Sequence, residues 1–178
     1  MLRGELTLLR ARTADDARSL HEGLYEDVDN YVRADTRPWI PIPFGPASPH
    51  WPADAPPSAQ DAAVFAVTEL ASGELAGEAL LWGIDVHNRS AHIGISLLPG
   101  CRGRGLGRDT VRVLCRYGFA IRGMHRIQME TLSDNRAMIA VAEGLGLTRE
   151  GTLRSGSWVN GAWADDVLFG MLDTEFSG

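Results

Sequence analysis

The segment Leu97–Gly107, with the sequence LLPGCRGRGLG, joins two apolar stretches of the chain and contains four glycines. Alternating apolar residues over Ala91–Leu98 predict a strand that ends in it, and apolar residues at helical spacing over Leu106–Ile121 predict a helix that begins in it. The first amides of a helix have no partner within the helix, and glycine lets anion oxygens come close to the backbone. The segment therefore predicts a phosphate cradle.

Two common phosphate-binding motifs do not fit this segment. A dinucleotide-binding fingerprint needs a glycine three residues after its second glycine, but Arg108 and Thr110 occupy those positions. A P-loop needs lysine before its serine or threonine, and the chain contains no lysine. The pattern that remains is Arg102-x-x-Gly105-x-Gly107.

Around the glycine-rich turn, the chain mixes strands and helices. Thr13 begins a capping-box pattern for one helix, and Asn135 precedes a second, short helical pattern that ends at glycines. The predicted strands are Glu5–Leu8, Val64–Glu69, Gly77–Trp82, Ala91–Leu98, Arg126–Leu132 and a final pair around the turn Val159–Ala162. With 178 residues, 44% of them apolar, the chain is interpreted as one α+β domain over residues 1–178.

The segment Pro38–Pro57 holds eight of the nine prolines together with Trp39, Phe44 and Trp51. Proline fixes the backbone and removes an amide donor, so helix and strand are not expected there. Aromatic residues are unusual in linkers and suit binding loops. We interpret residues 38–57 as an ordered substrate loop or lid, with a disordered linker as the alternative.

The net charge is −6, although residues 102–126 hold seven arginines and one acidic residue. The acidic total disfavours nucleic acid and anionic membranes, whereas the local arginines suit a compact anion. Cys101 and Cys115 match no zinc spacing, so no metal site is expected. The chain has no run of ~20 apolar residues and no signal-peptide pattern, which favours a cytoplasmic protein without membrane contact.

The pattern Arg102-x-x-Gly105-x-Gly107 resembles the pyrophosphate loop of the GNAT superfamily of acyl-CoA-dependent N-acyltransferases. The order of the predicted elements resembles that superfamily over nearly the whole chain. Ser133–Asn135 and Asn160–Asp165 resemble the branch that contains RimJ/RimL-type ribosomal-protein N-terminal acetyltransferases and spermidine acetyltransferases. The resemblance implies a twisted, mostly antiparallel sheet of six to seven strands, flanked by about four helices.

The same resemblance implies acetyl-CoA, or another acyl-CoA, as co-substrate. Ile95, Ser96 and Leu97 would run beside its pantetheine arm. Asn135 resembles the family asparagine that hydrogen-bonds the cofactor, and it also fits a helix N-cap. Arg104 or Arg108 would meet the ribose phosphate. The residues implied to bind the pyrophosphate through their amides are Arg102, Gly103, Arg104, Gly105, Leu106 and Gly107.

Amine acylation needs a base, a donor for the oxyanion and a proton for the departing thiolate. His92 is the first candidate for the base, because it stands where histone-acetylating relatives place a glutamate and because imidazole titrates near neutral pH. A half-buried structural histidine is the alternative, and Glu78 is a reserve candidate. Relatives place a tyrosine or serine after the helix asparagine as general acid. This chain has Ala142 and Met138 at those positions, so no acid is assigned.

The resemblance implies a primary amine as acceptor, which leaves protein N-termini, polyamines and small amines open. Trp39, Phe44 and Trp158 are expected to recognise it, since aromatic rings can cover an alkylammonium group. Dimers are common among such enzymes, so a homodimer is allowed, although nothing in the sequence indicates one. A second hypothesis, motivated by the missing acid, is a catalytically weak CoA-binding regulatory module of the same fold.

Overall fold

The computed structural model of this protein describes residues 1–35, 37–51 and 62–178. Its strands are β1 (Leu2–Arg3), β2 (Thr7–Arg10), β3 (Ala62–Glu69), β4 (Leu75–Asp85), β5 (Ser90–Leu97), β6 (Arg126–Leu132), β7 (Thr148–Val159) and β8 (Ala162–Leu172). Its α-helices are α1 (Ala14–Leu20), α2 (Val28–Ala34), α3 (Leu106–Arg116) and α4 (Arg136–Gly144). The strands form one sheet in the order β1-β2-β3-β4-β5-β6-β8-β7. Neighbouring strands are antiparallel except for β5 and β6.

The mixed sheet confirms the predicted α+β class, and the four helices of the described ranges agree with the expected number. The expected count of six to seven strands is too low, because the sheet has eight. The additional strand is β1, in which Leu2 pairs with Leu9 and Arg3 pairs with Leu8. Two residues are too few to show an alternation of apolar and polar side chains, so no sequence pattern could reveal this strand.

Two helices begin at the residues that the capping patterns indicate. The Thr13 hydroxyl accepts from the Asp16 amide, and the Asp16 carboxylate accepts from the Thr13 amide at 2.7 Å. This reciprocal pair satisfies amides that the first turn of α1 leaves free. Asn135 caps α4 in a similar way through its side-chain oxygen, which accepts from the Met138 amide.

The core lies between the sheet and α3. Leu81, Ile127 and Phe169 of the sheet and Leu114 of α3 are each at most 1% exposed. After α3 the chain continues through a wide helical turn over Tyr117–Ile121. The helix predicted over 106–121 is therefore continuous but changes its hydrogen-bond spacing near its end.

Asp109 attaches α3 to the turn between β1 and β2. Its carboxylate accepts hydrogen bonds from the amides of Glu5, Leu6 and Thr7 and from the Thr7 hydroxyl. Burial alone would raise the pKa of Asp109, but these bonds and Arg112 outweigh it and lower the pKa to about 2. The one acidic residue among the arginines of this region is therefore a structural anchor for the start of the sheet.

The β7–β8 hairpin turns at Asn160 and Gly161, whose φ angles are 47° and 84°. Two successive residues with positive φ are typical of a type I′ turn, for which Asn-Gly is a preferred pair. The turn predicted at this position is confirmed. Among the described helices, none has the length and apolar character needed to cross a membrane.

Candidate active site

The parallel strands β5 and β6 separate after a short stretch of pairing. Ser90–His92 pairs with Arg126–Gln128, and no later residues of these two described strands pair with each other. Strand β5 nevertheless continues along β4 as far as Leu97. A cleft therefore opens between β5 and β6 beyond His92. In it, the backbone groups on one side of Ile95, Ser96 and Leu97 face no partner strand.

The glycine-rich turn lies at the outer end of this cleft. Pro99–Cys101 forms one short helical turn, and Gly103 and Gly105 follow with φ angles of 72° and 80°. Residues with a Cβ rarely adopt this conformation, which explains glycine at both positions. Gly105 is the N-cap of α3, and no side chain caps that end of the helix. The first amides of α3 are therefore available to an anion.

Helix α3 packs closely on the strand that lines the cleft. Leu106 is buried, and a Cβ on Gly107 would lie 3.4 Å from Ile95 Cδ1 and 3.7 Å from Leu97 Cδ1. Glycine at this position lets the helix approach β5. This approach brings the free amides of α3 to the end of the cleft.

The arginines of the turn make contacts with other parts of the protein. Arg102 Nε donates to the Leu97 carbonyl, at the end of β5, at 2.9 Å. Arg104 pairs with Glu69 at 2.5 Å, and Arg108 donates to the Gly144 carbonyl at 2.8 Å. All three arginines are exposed, so their guanidinium groups are open to anions from solvent. Of these three contacts, the Arg104 contact is the ion pair, and its Glu69 side chain is 13% exposed, so a phosphate would compete with a partly buried carboxylate for Arg104.

Asn135 lies at the start of α4, across the cleft from β5. Its Nδ2 donates to Thr131 Oγ1 at 2.9 Å, while its Oδ1 caps the helix. Met138 and Ala142, on the following turns of α4, are half-buried and fully buried. Neither can donate a proton, so this helix supplies no general acid at the positions where relatives have one.

His92 lies where the cleft begins, and residues of β4 and β6 surround its ring. Its ring centroid is 4.6 Å from that of Trp82, and its Nε2 is 3.4 Å from Gln128 Nε2. Its Nδ1 is 3.2 Å from Glu130 Oε1, although the two groups are not aligned for a hydrogen bond. A Cβ on Gly83 would lie 3.2 Å from His92 Cδ2, so glycine there leaves room for the ring.

Glu78, the reserve candidate, lies on β4 opposite Ser96 and is only 15% exposed. Its Oε2 is 2.6 Å from Arg12 Nη2 and 3.2 Å from His50 Nδ1. Burial alone would raise the pKa of Glu78, but the hydrogen bond and charge of His50 and the charge of Arg12 outweigh it, so the pKa lies below its ordinary value. The carboxylate is therefore ionised and already paired.

The structure does not bring the two candidate bases together. Trp82 is paired with His92 and lies four residues along β4 from Glu78, which corresponds to about 13 Å. His92 stands at the closed end of the cleft, whereas Glu78 lies under the segment 37–51. The two side chains therefore have different surroundings and different access to a substrate in the cleft.

Two of the three aromatic residues expected to contact an acceptor pack against the region around α1. Trp39 Nε1 donates to the Tyr25 carbonyl at 2.9 Å, and the Arg18 guanidinium lies 4.4 Å from the Phe44 ring centroid. Residues 37–51 form no helix or strand, and residues 52–57 of the predicted loop lie outside the described residues. Trp158 is on the β7–β8 hairpin and is 59% exposed.

Four polar partners of the candidate bases were missed in the sequence, namely Arg12, His50, Gln128 and Glu130. Arg12 and His50 are 66 and 28 residues from Glu78, and no local spacing connects them to it. Glu130 carried a usable signal, because it stands at a polar, outward-facing position of a predicted strand. Only the pairing of β5 with β6 shows that this position lies beside His92.

Comparison with known protein families gives one match that covers most of the chain. A family described as acetyltransferase (GNAT) domain matches residues 6–148. Among curated proteins, the putative ribosomal N-acetyltransferase YdaF of Bacillus subtilis is 32% identical over 109 residues, which are 61% of this chain and 60% of that protein. The uncharacterized N-acetyltransferase p20 of Bacillus licheniformis is 30% identical over 95 residues, or 53% of each chain. The match thus spans less than two thirds of these relatives.

Solved structures match over a larger share of the chain than the curated relatives do. The crystal structure of a probable acetyltransferase covers 97% of this chain and 96% of its own, with a TM-score of 0.80 and 24% identity. The spermidine N-acetyltransferase of Vibrio cholerae in complex with CoA and spermine covers 97% and 99%, with a TM-score of 0.77 and 20% identity. At these identities, the likeness concerns the fold.

Proposed function

Because the chain belongs to the family of GNAT acetyltransferase domains, we propose that it is an N-acyltransferase that transfers an acetyl group from acetyl-CoA to a primary amine. The observation that carries the proposal is the cleft between β5 and β6, which opens at His92 and ends at the glycine-rich turn. The sheet takes strands from Leu2 to Leu172, which supports one acyltransferase domain over residues 1–178.

The residues of the cleft fit an extended acyl-CoA. Ile95, Ser96 and Leu97 line the cleft, and those of their backbone groups that do not pair with β4 can pair with the amides of a pantetheine arm, as a neighbouring strand would. The Leu97 carbonyl joins them when Arg102 Nε leaves it. The amides from Arg102 to Gly107 can bind a pyrophosphate, because glycine leaves them open and the start of α3 favours negative charge. Asn135 can reach the cofactor with the amide hydrogen that its contact to Thr131 leaves free.

His92 supplies the base in this proposal. An alkylammonium group has a pKa near ~10.4, so little free amine exists at neutral pH, and a base raises its population. His92 takes one proton from the ammonium, directly or through water. The amine nitrogen then forms a bond to the thioester carbon and gives up its second proton to water, and the carbon–sulfur bond breaks with its electrons leaving on sulfur. Amides of Ile95–Leu97 stabilise the oxyanion, and water protonates the thiolate, whose pKa is near ~8.5.

The relatives' names and an exposed aromatic ring of this chain support the proposed acceptor class. One relative is named a putative ribosomal N-acetyltransferase and another binds spermine, which supports a protein N-terminus or a polyamine. Trp158 packs edge-to-face against Trp163 and is 59% exposed, so its exposed part can contact a cation, whereas Trp39 and Phe44 are half-buried. Trp158→Ala is expected to raise the KM for the amine roughly two- to fivefold, from a cation–π contact worth about 0.5–1 kcal/mol, with the KM for acetyl-CoA unchanged.

The activity is tested by the release of free CoA thiol. Acetyl-CoA and succinyl-CoA are each offered with polyamines, amino-acid amides and ribosomal N-terminal peptides, and thermal stabilisation by CoA is measured in parallel. Turnover with acetyl-CoA and one amine class is the expected result. Stabilisation without turnover for any pair would favour the regulatory module, and the absence of both would overturn the proposal.

The cofactor site is tested separately with Gly103→Val. Gly103 has φ 72°, and a Cβ there would meet no atom of the chain within 4 Å, so any steric conflict is with the ligand. Gly123→Val is the matched control, because Gly123 has φ 65°, equally open surroundings and a position beyond the other end of α3. Both variants are expected to lose similar stability. Only Gly103→Val is expected to lose stabilisation by CoA, and equal stabilisation of both variants would contradict the assignment.

A further inference from the structure

A chain of contacts along β6 and β7 determines the orientation of one amide beside His92. Glu150 and Arg126 form a two-point ion pair, in which Arg126 Nη1 donates to Glu150 Oε1 at 2.7 Å. Arg126 Nη2 also lies 3.3 Å from the side-chain oxygen of Gln128. A guanidinium group has only donors, so the atom that faces it must be the amide oxygen. The NH₂ group of Gln128 therefore points the other way, toward His92.

This orientation determines which nitrogen of His92 carries the proton. The Gln128 NH₂ group has only donors and lies 3.4 Å from His92 Nε2. In the neutral imidazole, Nε2 must then accept, and the proton is on Nδ1. Glu130, whose carboxylate only accepts, lies 3.2 Å from that Nδ1. Its side chain is 42% exposed, so rotation about its own bonds can align the hydrogen bond.

The surroundings hold the ring in this position. Trp82 stacks against it from β4, and Gly83 leaves the space that its Cδ2 occupies. Among the described groups packed around the ring, the charged ones are Glu130, Arg126 and, through Arg126, Glu150. Because Arg126 and Glu150 neutralise each other, Glu130 is the uncompensated charge beside His92.

We propose that Gln128 and Glu130 are positioning residues that hold His92 with its proton on Nδ1, so that Nε2 is the atom that takes the proton of the acceptor amine. The inference rests on the proposed function of His92 as base. Gln128 covers Nε2 until the ammonium group of the acceptor replaces it. Glu130 then stabilises the imidazolium that forms, as carboxylates do beside catalytic histidines.

The kinetic test is a double-mutant cycle with Glu130→Gln and His92→Ala. Glu130→Gln is expected to lower kcat/KM roughly tenfold, because the carboxylate no longer stabilises the imidazolium that forms when His92 takes the proton. In the His92→Ala background, Glu130→Gln is expected to have no further effect. Glu74→Gln, the same change in an exposed turn, is the control. An equal loss in both backgrounds would overturn the proposal.

A spectroscopic test decides the positioning even without activity. Nitrogen-15 spectra of the imidazole, recorded where His92 is neutral, distinguish a proton on Nδ1 from one on Nε2. The unmodified protein is expected to show the Nδ1–H form, and Gln128→Ala is expected to show a larger share of the Nε2–H form. An Nε2–H signal in the unmodified protein would overturn the positioning. If no amine supports turnover while the spectra agree, the proposed function alone fails.

Discussion

One face of the sheet carries two histidine–carboxylate pairs, His50 with Glu78 and His92 with Glu130, each separated by 3.2 Å. In the first pair, the side chains are 8% and 15% exposed, and Arg12 binds the same carboxylate oxygen. In the second pair, they are 25% and 42% exposed, so both side chains are more open to solvent. In the first pair, the histidine and the glutamate thus hold the segment 37–51 against β4. In the second pair, the same two residue types remain free to exchange a proton.

The two pairs are expected to differ most in what they contribute to the free energy of unfolding. Glu78→Gln removes the counter-charge of Arg12, whose side chain is 12% exposed. Removing one partner of a buried ion pair costs about 3 kcal/mol or more, measured as the free energy of unfolding in urea. Glu130→Gln, the same change in the exposed pair, is expected to cost less than about 1 kcal/mol. Equal losses would show that burial does not distinguish the two pairs.

Low pH is expected to reduce the stability that the Glu78 pair contributes. The pKa of Glu78 in the folded protein lies below its ordinary value. The stabilisation from its ionised form is therefore fully present above the ordinary glutamate pKa of about 4.3 and is lost as the pH falls through the folded value. Glu78→Gln should flatten the dependence of unfolding free energy on pH in this window. The remaining slope at lower pH then comes from the other carboxylates with lowered pKa values, among them Asp16 and Asp109, each with a pKa of about 2.

In catalysis, the loss of His92 is expected to matter more than the loss of His50, although the pair that contains His50 is expected to contribute more to stability. His92→Ala should lower kcat/KM about a hundredfold, or about 2.7 kcal/mol, because a general base contributes at least that much. The loss should be largest at acidic to neutral pH, where free amine is scarce. His50→Ala should leave the shape of the pH profile unchanged. A profile that His92→Ala leaves unchanged would remove His92 as the base.

His50→Ala is expected to weaken the attachment of the segment 37–51 to β4. The variant removes a hydrogen bond to the ionised Glu78, a type of bond worth about 1.5–3 kcal/mol. Because this side-chain bond joins the segment 37–51 to β4, the segment should lose protection against hydrogen exchange more than the rest of the chain. Uniform loss over the whole sheet would instead assign His50 to the global core.

The sequence predicted those parts of the site that depend on neighbouring residues. Gly103 and Gly105 follow one strand and precede one helix, so local spacing alone indicated the turn that the structure has. The Thr13 cap and the Asn160 turn are local in the same sense. The contacts of the two histidines were not predictable in this way. His50 meets Glu78 only because an irregular segment folds back on β4, and Glu130 meets His92 only because two distant strands pair in parallel.

The smallest expected effect concerns the space around His92. Gly83→Ala places a Cβ 3.2 Å from His92 Cδ2 at φ 58°, whereas Gly73→Ala introduces the same group at φ 76° with no atom within 4 Å. Both variants should lose about 1 kcal/mol of stability from backbone strain. Only Gly83→Ala should also tilt the ring away from Gln128, which we expect to lower kcat/KM about fivefold. Equal kcat/KM in the two variants would show that the exact placement of the ring does not limit the reaction, and that His92 differs from His50 only in access to the cleft.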